Sequence, residues 1–96
     1  MIRLIDITDD DIKNGVQGEC DKCAIALALK REYKTYDVFV HVTDDTSTPC
    51  LQVNKKELNF RYENDVSDFI DCFDNQTDMD YPSPKPFTLE VVEWKN

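Results

Sequence analysis

Glycine is nearly missing from this chain, with two in 96 residues, and that scarcity removes a class of chemistry. A phosphate-cradling loop needs several glycines so that backbone N–H groups can close around an anion. Gly15 and Gly18 stand together in a single connector instead. Histidine occurs once, at His41, so no HExxH metal helix exists, and there is no GxSxG nucleophile elbow. No apolar run approaches the roughly 18 to 20 residues of a membrane span. The opening MIRLIDITDDD turns acidic early and lacks the basic, apolar, small-residue succession of an export signal, so a cytoplasmic location is expected. Bases are also short, with 11 Lys and Arg against 20 Asp and Glu and a net charge of −9. Such a surface repels nucleic acid and anionic membranes and attracts basic proteins. Neither an enzyme nor a cofactor is expected.

What is present suffices for one small folded domain over residues 1–96. The composition is 41% hydrophobic and 32% charged, too apolar for a disordered acidic tail. Ile2, Leu4, Ile5 and Ile7 open a first strand. Thr8 or Asp9 caps a helical turn over 10–14, and Gly15 is placed to end it in a left-handed conformation. A helix is expected over 21–33, with Lys30 and Arg31 complementing the dipole at its end. Tyr36, Val38, Val40 and Val42 alternate with Asp37, Phe39 and His41 as a strand. A polar loop follows over 43–49. A hairpin over 51–54 and 58–62 turns around Lys55 and Lys56, with Leu58, Phe60 and Tyr62 on one face. Asn64 caps a helix over 65–73, where Val66, Phe69, Ile70 and Phe73 form a buried stripe. After three prolines, residues 87–94 make the last strand. The expected fold is α+β in the order β-α-β-β-β-α-β, a mostly antiparallel sheet with both helices on one face.

The charge is not evenly spread. From Glu57 to Asp80 eight carboxylates face one base, Arg61. On the second long helix, Asp65 and Asp68 lie toward the positive end. Asp71 and Asp74 lie toward the negative end, where each is disfavoured by roughly 0.3–1 kcal/mol. Spacing of three residues adds like-charge repulsion of a few tenths of a kcal/mol, about the size of an ordinary helix pair. Folding gains nothing from this arrangement. Asp65, Asp68, Asp71, Asp74, Asp78 and Asp80 are therefore the expected partner-binding residues, placed to dock on a basic protein surface as nucleic-acid phosphates would.

The four cysteines, Cys20, Cys23, Cys50 and Cys72, are read as free thiols in a reducing compartment. Cys20 and Cys23 form a CxxC, a spacing that suits a redox pair or half a zinc site. The chain offers no second such pair, and a shared helix face with Leu27 makes both thiols small core residues. Asp9, Asp10 and Asp11 do not fit a calcium loop, because Ile12 would fall on a ligand position; helix capping accounts for them better. His41 is expected to face solvent.

Three segments carry a resemblance. DIKNGVQGECDKCAIALAL, FIDCFDN and PKPFTLEV resemble, in that order, a family of short uncharacterised bacteriophage and prophage proteins reading DIxxGxxGxCxxCPIALAL near the start and FIxxFDxG…PFxFxL near the end. Ala24 stands where the pattern has proline, and Gln76 where it has glycine. The resemblance implies a phage origin, a bacterial host cytoplasm and the α+β fold, and it carries no activity. Class and charge together lead to a non-enzymatic accessory protein that binds and blocks a basic nucleic-acid-handling or defence protein of the host. The alternatives are a binder of a nucleotide signal using Lys55, Lys56 and Arg61, and a zinc module built on Cys20 and Cys23. An open sheet edge would give a route to a homodimer.

Overall fold

Arg3–Ile7 forms a strand, β1, whose side chains alternate in facing, with Ile5 and Ile7 buried and Leu4 turned outward despite being apolar. The structure is a computed structural model that describes residues 2–42, 49–80 and 82–94. The elements that follow are α1 (Asp9–Asn14), α2 (Ala24–Tyr33), β2 (Val38–Val42), β3 (Pro49–Val53), β4 (Lys56–Phe60), α3 (Glu63–Asp74) and β5 (Phe87–Trp94). Of the polar loop expected over 43–49, residues 43–48 lie outside the described residues, and Pro49 belongs to β3 instead.

The strands form one sheet in the order β1-β5-β4-β3-β2, with every pairing antiparallel. The last strand thus inserts beside the first, with Ile5 opposite Leu89, and β4 closes on its other side through a bulge at Asn59 and Phe60. Because β1 and β2 are the two edges, the chain between them must cross the full width of the sheet. α2 makes that crossing and packs on both edge strands. Ala24, Ala26 and Ala28 are wholly buried, so small side chains let it lie close.

The core is one-sided. Val38, Val40, Leu51, Val53, Leu58, Leu89 and Val91 are buried beneath the helices together with Val66 and Phe73 of α3. Each such side chain contributes roughly 1.5–3 kcal/mol of transfer free energy. The α+β architecture with an antiparallel sheet and its helices on one face is the one expected. The opposite face carries Leu4, Phe39 and Asn59 toward solvent.

Several details differ from expectation, each for a physical reason. Thr8 caps α1 through a reciprocal box: its hydroxyl accepts from the Asp11 N–H at 3.2 Å, and the Asp11 carboxylate accepts from the Thr8 N–H at 3.0 Å. Gly15 is not left-handed, as it has φ −70° and ψ 155°. Crowding makes it glycine instead, since a Cβ there would stand 2.7 Å from the Ala24 nitrogen and 2.8 Å from Phe73 Cζ. Gly18 is the left-handed one, at φ +75°. α2 begins three residues later than the sequence suggests, because the connector closes on itself through Val16 N–H to the Lys22 carbonyl at 2.8 Å. The hairpin turns on Asn54 and Lys55, both with positive φ (53° and 68°), and Val53 pairs with Lys56. That is a two-residue turn of the primed type, whose twist matches the strands. Tyr62 leaves the strand altogether and becomes the residue that starts α3.

Candidate functional site: the acidic face of α3 and the groove beside it

α3 begins at Tyr62, held left-handed at φ 59° and ψ 52° with no side-chain cap, so Asn64 lies within the first turn rather than capping it. Glu63 and Asp65 supply the negative charge that this end favours. The last turn contains no base. Amides serve there instead: Asn75 Nδ2 donates to the Asp71 carbonyl at 2.8 Å and Gln76 Nε2 to the Phe73 carbonyl at 3.0 Å. The expected stripe is present, with Val66, Phe69 and Phe73 buried and Ile70 partly so. Phe69 meets Phe87 of β5 with ring centroids 4.8 Å apart, which fixes the helix against the start of the last strand.

Asp65, Asp68, Asp71, Asp74, Asp78 and Asp80 are all exposed. At about 100° of rotation per residue, each step of three turns back by about 60°, so the four helical aspartates wind across the outer half of α3. Neighbours along this row lie close, while Asp65 and Asp74 end on opposite flanks. The row is therefore a band around the helix and not a single line.

The six do not share one situation. Asp74 Oδ1 accepts from the Gly18 N–H at 3.1 Å, joining the end of α3 to the glycine connector 56 residues away. Asp78 Oδ1 accepts from the Asp80 N–H at 2.9 Å and shapes a local turn. Folding does use Asp74, contrary to the expectation that it uses none of these. Asp65, Asp68 and Asp71 differ: their carboxylates make no hydrogen bond or ion pair among the described residues.

On the Asp65 flank a groove of about 460 Å³ separates α3 from residues 82–86. Val66, Phe69, Phe87 and Leu89 line its depth, and Pro82, Pro84 and Pro86 form the facing wall. Tyr62, Asp65 and Asp68 stand on the helical side, with Arg61 and Lys85 also bordering it. The groove was not among the features expected from the sequence. Its signal was present in the proline run directly before the apolar Phe87 and Leu89, which holds a stretch of irregular chain beside the helix. Lys55 and Lys56 occupy the hairpin and do not border the groove with Arg61.

The cysteines are placed differently from the helix-face expectation. Both precede the regular part of α2: Cys20 is exposed, and Cys23 is the buried N-cap whose Sγ accepts from the Ala26 N–H at 3.5 Å. Burial pushes the Cys23 thiol pKa up, and the N–H groups of Ala26 and Ile25 do not reverse it. Cys23 is thus a protonated core thiol and not an activated one. Among the described residues no group of three or more His, Cys, Asp and Glu gathers to hold a metal ion. His41 is half-buried, opposite Cys50 in the β2–β3 pairing, and borders a second cavity of about 210 Å³ with Cys20, Cys23 and Asp74.

Asp11 is the one buried charged residue of the described core, at 5% exposure. Arg31 grips it with both nitrogens, at 2.7 and 3.1 Å, while also donating to the Asp6 carbonyl at 2.9 Å. Burial raises the Asp11 pKa, but Arg31 and Thr8 outweigh it, and the net shift is downward. This constellation locks α1 to α2 and β1. It is structural.

No helix among the described residues is long and apolar enough to cross a membrane. Comparison with protein-family models, with curated proteins and with solved structures finds no match.

Proposed function

We propose that this chain is a non-enzymatic accessory protein of phage type that works in a bacterial host cytoplasm. There it binds and blocks a basic protein that handles nucleic acid or serves in defence. The observation that carries the reading is the state of Asp65, Asp68 and Asp71: exposed, adjacent in steps of three, and unneutralised among the described residues. They belong to a chain of net charge −9, so the field they project is reinforced by the whole molecule. A band of carboxylates around a helix offers a basic cleft negative charge on a curved surface, as a phosphate backbone does. Complementarity of this kind speeds association and fixes orientation.

The test is affinity capture from a bacterial host lysate, with wild type compared to Asp65→Lys/Asp68→Lys/Asp71→Lys. A basic partner retained by wild type at low salt, released as salt is raised, and lost from the variant is the expected outcome. A partner held equally by the charge-reversed protein contradicts the reading. Asp74 is left unchanged in the variant because it holds Gly18.

A further inference from the structure

We propose that the groove between α3 and residues 82–86 is a docking site for a partner segment bearing a bulky apolar side chain beside a lysine or arginine. This rests on the acidic-face reading and deepens it by naming the chemistry that the partner presents.

Three observations lead there. The groove is lined by apolar side chains where Phe69 and Phe87 meet, and its volume of about 460 Å³, open to solvent, has room for one bulky side chain. Its helical margin carries Asp65 and Asp68, the two unneutralised carboxylates nearest the start of the acidic band. An apolar occupant alone would leave them unused, and a basic occupant alone would leave the groove wet. A side chain that fills the groove while a neighbouring cation reaches the carboxylates satisfies both. Arg61 and Lys85 also border the groove, so like-charge repulsion directs the partner's cation away from them and toward Asp65 and Asp68.

The site is also pre-organised. Prolines fix their own φ, so the wall formed by Pro82, Pro84 and Pro86 loses little freedom when a partner arrives. Tyr62, 60% exposed, borders the groove on a backbone in the left-handed region that places it at the entry to α3. Aromatic residues dominate the energetics of such contacts.

The experiment is an NMR titration of the 15N-labelled full chain with three capped tripeptides: Arg-Trp-Arg, Arg-Ala-Arg and Glu-Trp-Glu. Saturable shifts at Asp65, Phe69, Phe87 and Thr88, with Arg-Trp-Arg tighter than either control by about tenfold or more, are expected. Ser83→Trp, a change at an exposed position on the margin, should reduce Arg-Trp-Arg to the level of Arg-Ala-Arg. Asp65→Asn/Asp68→Asn, which keeps shape and removes charge, should weaken it by a similar factor even if the tryptophan variant does not fold. Equal binding of Arg-Trp-Arg and Arg-Ala-Arg overturns the groove proposal and leaves the acidic-face reading standing. Equal binding of Arg-Trp-Arg and Glu-Trp-Glu overturns both. Shifts confined to another surface, or no binding, overturn the proposal.

Discussion

A Cβ at residue 15 would sit 2.9 Å from the Asp11 carbonyl oxygen as well as against the Ala24 backbone and the Phe73 ring. Two of those neighbours are main chain and cannot move aside cheaply. Gly15→Ala should therefore lower stability by about 1–3 kcal/mol, the range for overpacking, measured by urea denaturation; an unchanged midpoint would contradict the contact. Asp11 makes a second prediction with a sign. Its folded pKa lies below the ordinary aspartate value, so its contribution is fully present above about pH 4 and is lost as pH falls through the lowered folded pKa. Asp11→Asn should cost about 1–3 kcal/mol at neutral pH, for a lost cap and charge-assisted hydrogen bonds, with a half-exposed Arg31 keeping it modest. The gap to wild type should close in acid, and a gap constant with pH would exclude this role. From the residues alone, Thr8 was legible as a cap, and of the three aspartates read as capping residues only Asp11 joins it. The role of Gly15 was not legible, because Ala24 and Phe73 reach it only through the tertiary fold.

Elements show the same division between local and non-local causes. The hairpin was readable from its alternating strands, yet its turn lies one residue earlier than expected, since Asn54 tolerates positive φ and the flanking twist demands it at Lys55 too. Lys55 at φ 68° is the strained member. Lys55→Gly should stabilise the protein by about 0.5–1 kcal/mol, read as a raised denaturation midpoint; a lowered one would show that the lysine side chain matters more than its backbone. α3 was legible as a helix because its apolar stripe has the right period. Its start was not, because Tyr62 enters through a left-handed backbone that no side-chain pattern announces. The CxxC segment read as helix by composition, but Val16, Lys22 and the Cys20 carbonyl, which accepts from Val40 N–H at 2.8 Å, hold it as a connector along the edge of β2.

At the scale of the whole molecule, composition and pattern gave the α+β class and the concentration of charge between Glu57 and Asp80. The strand order was out of reach, because β5 slots between β1 and β4 by contacts that span most of the chain. The groove was legible only by half: the proline run before Phe87 marked one wall, but α3, the other wall, meets it only once the sheet is built. Asp74 changes the weight of the central claim: with its carboxylate engaged by Gly18, the case for a surface retained for binding rests on Asp65, Asp68 and Asp71. If these residues serve a partner and not the fold, the free protein should be better off without them. The direct measurement is denaturation of wild type beside Asp68→Lys/Asp71→Lys, at low and at raised salt. The expected result is a variant more stable by about 0.5–1 kcal/mol, through relief of repulsion and a cation near the helix C-terminus, with the gain shrinking as salt rises. A variant less stable than wild type would mean that the carboxylates support the fold, and would contradict the claim.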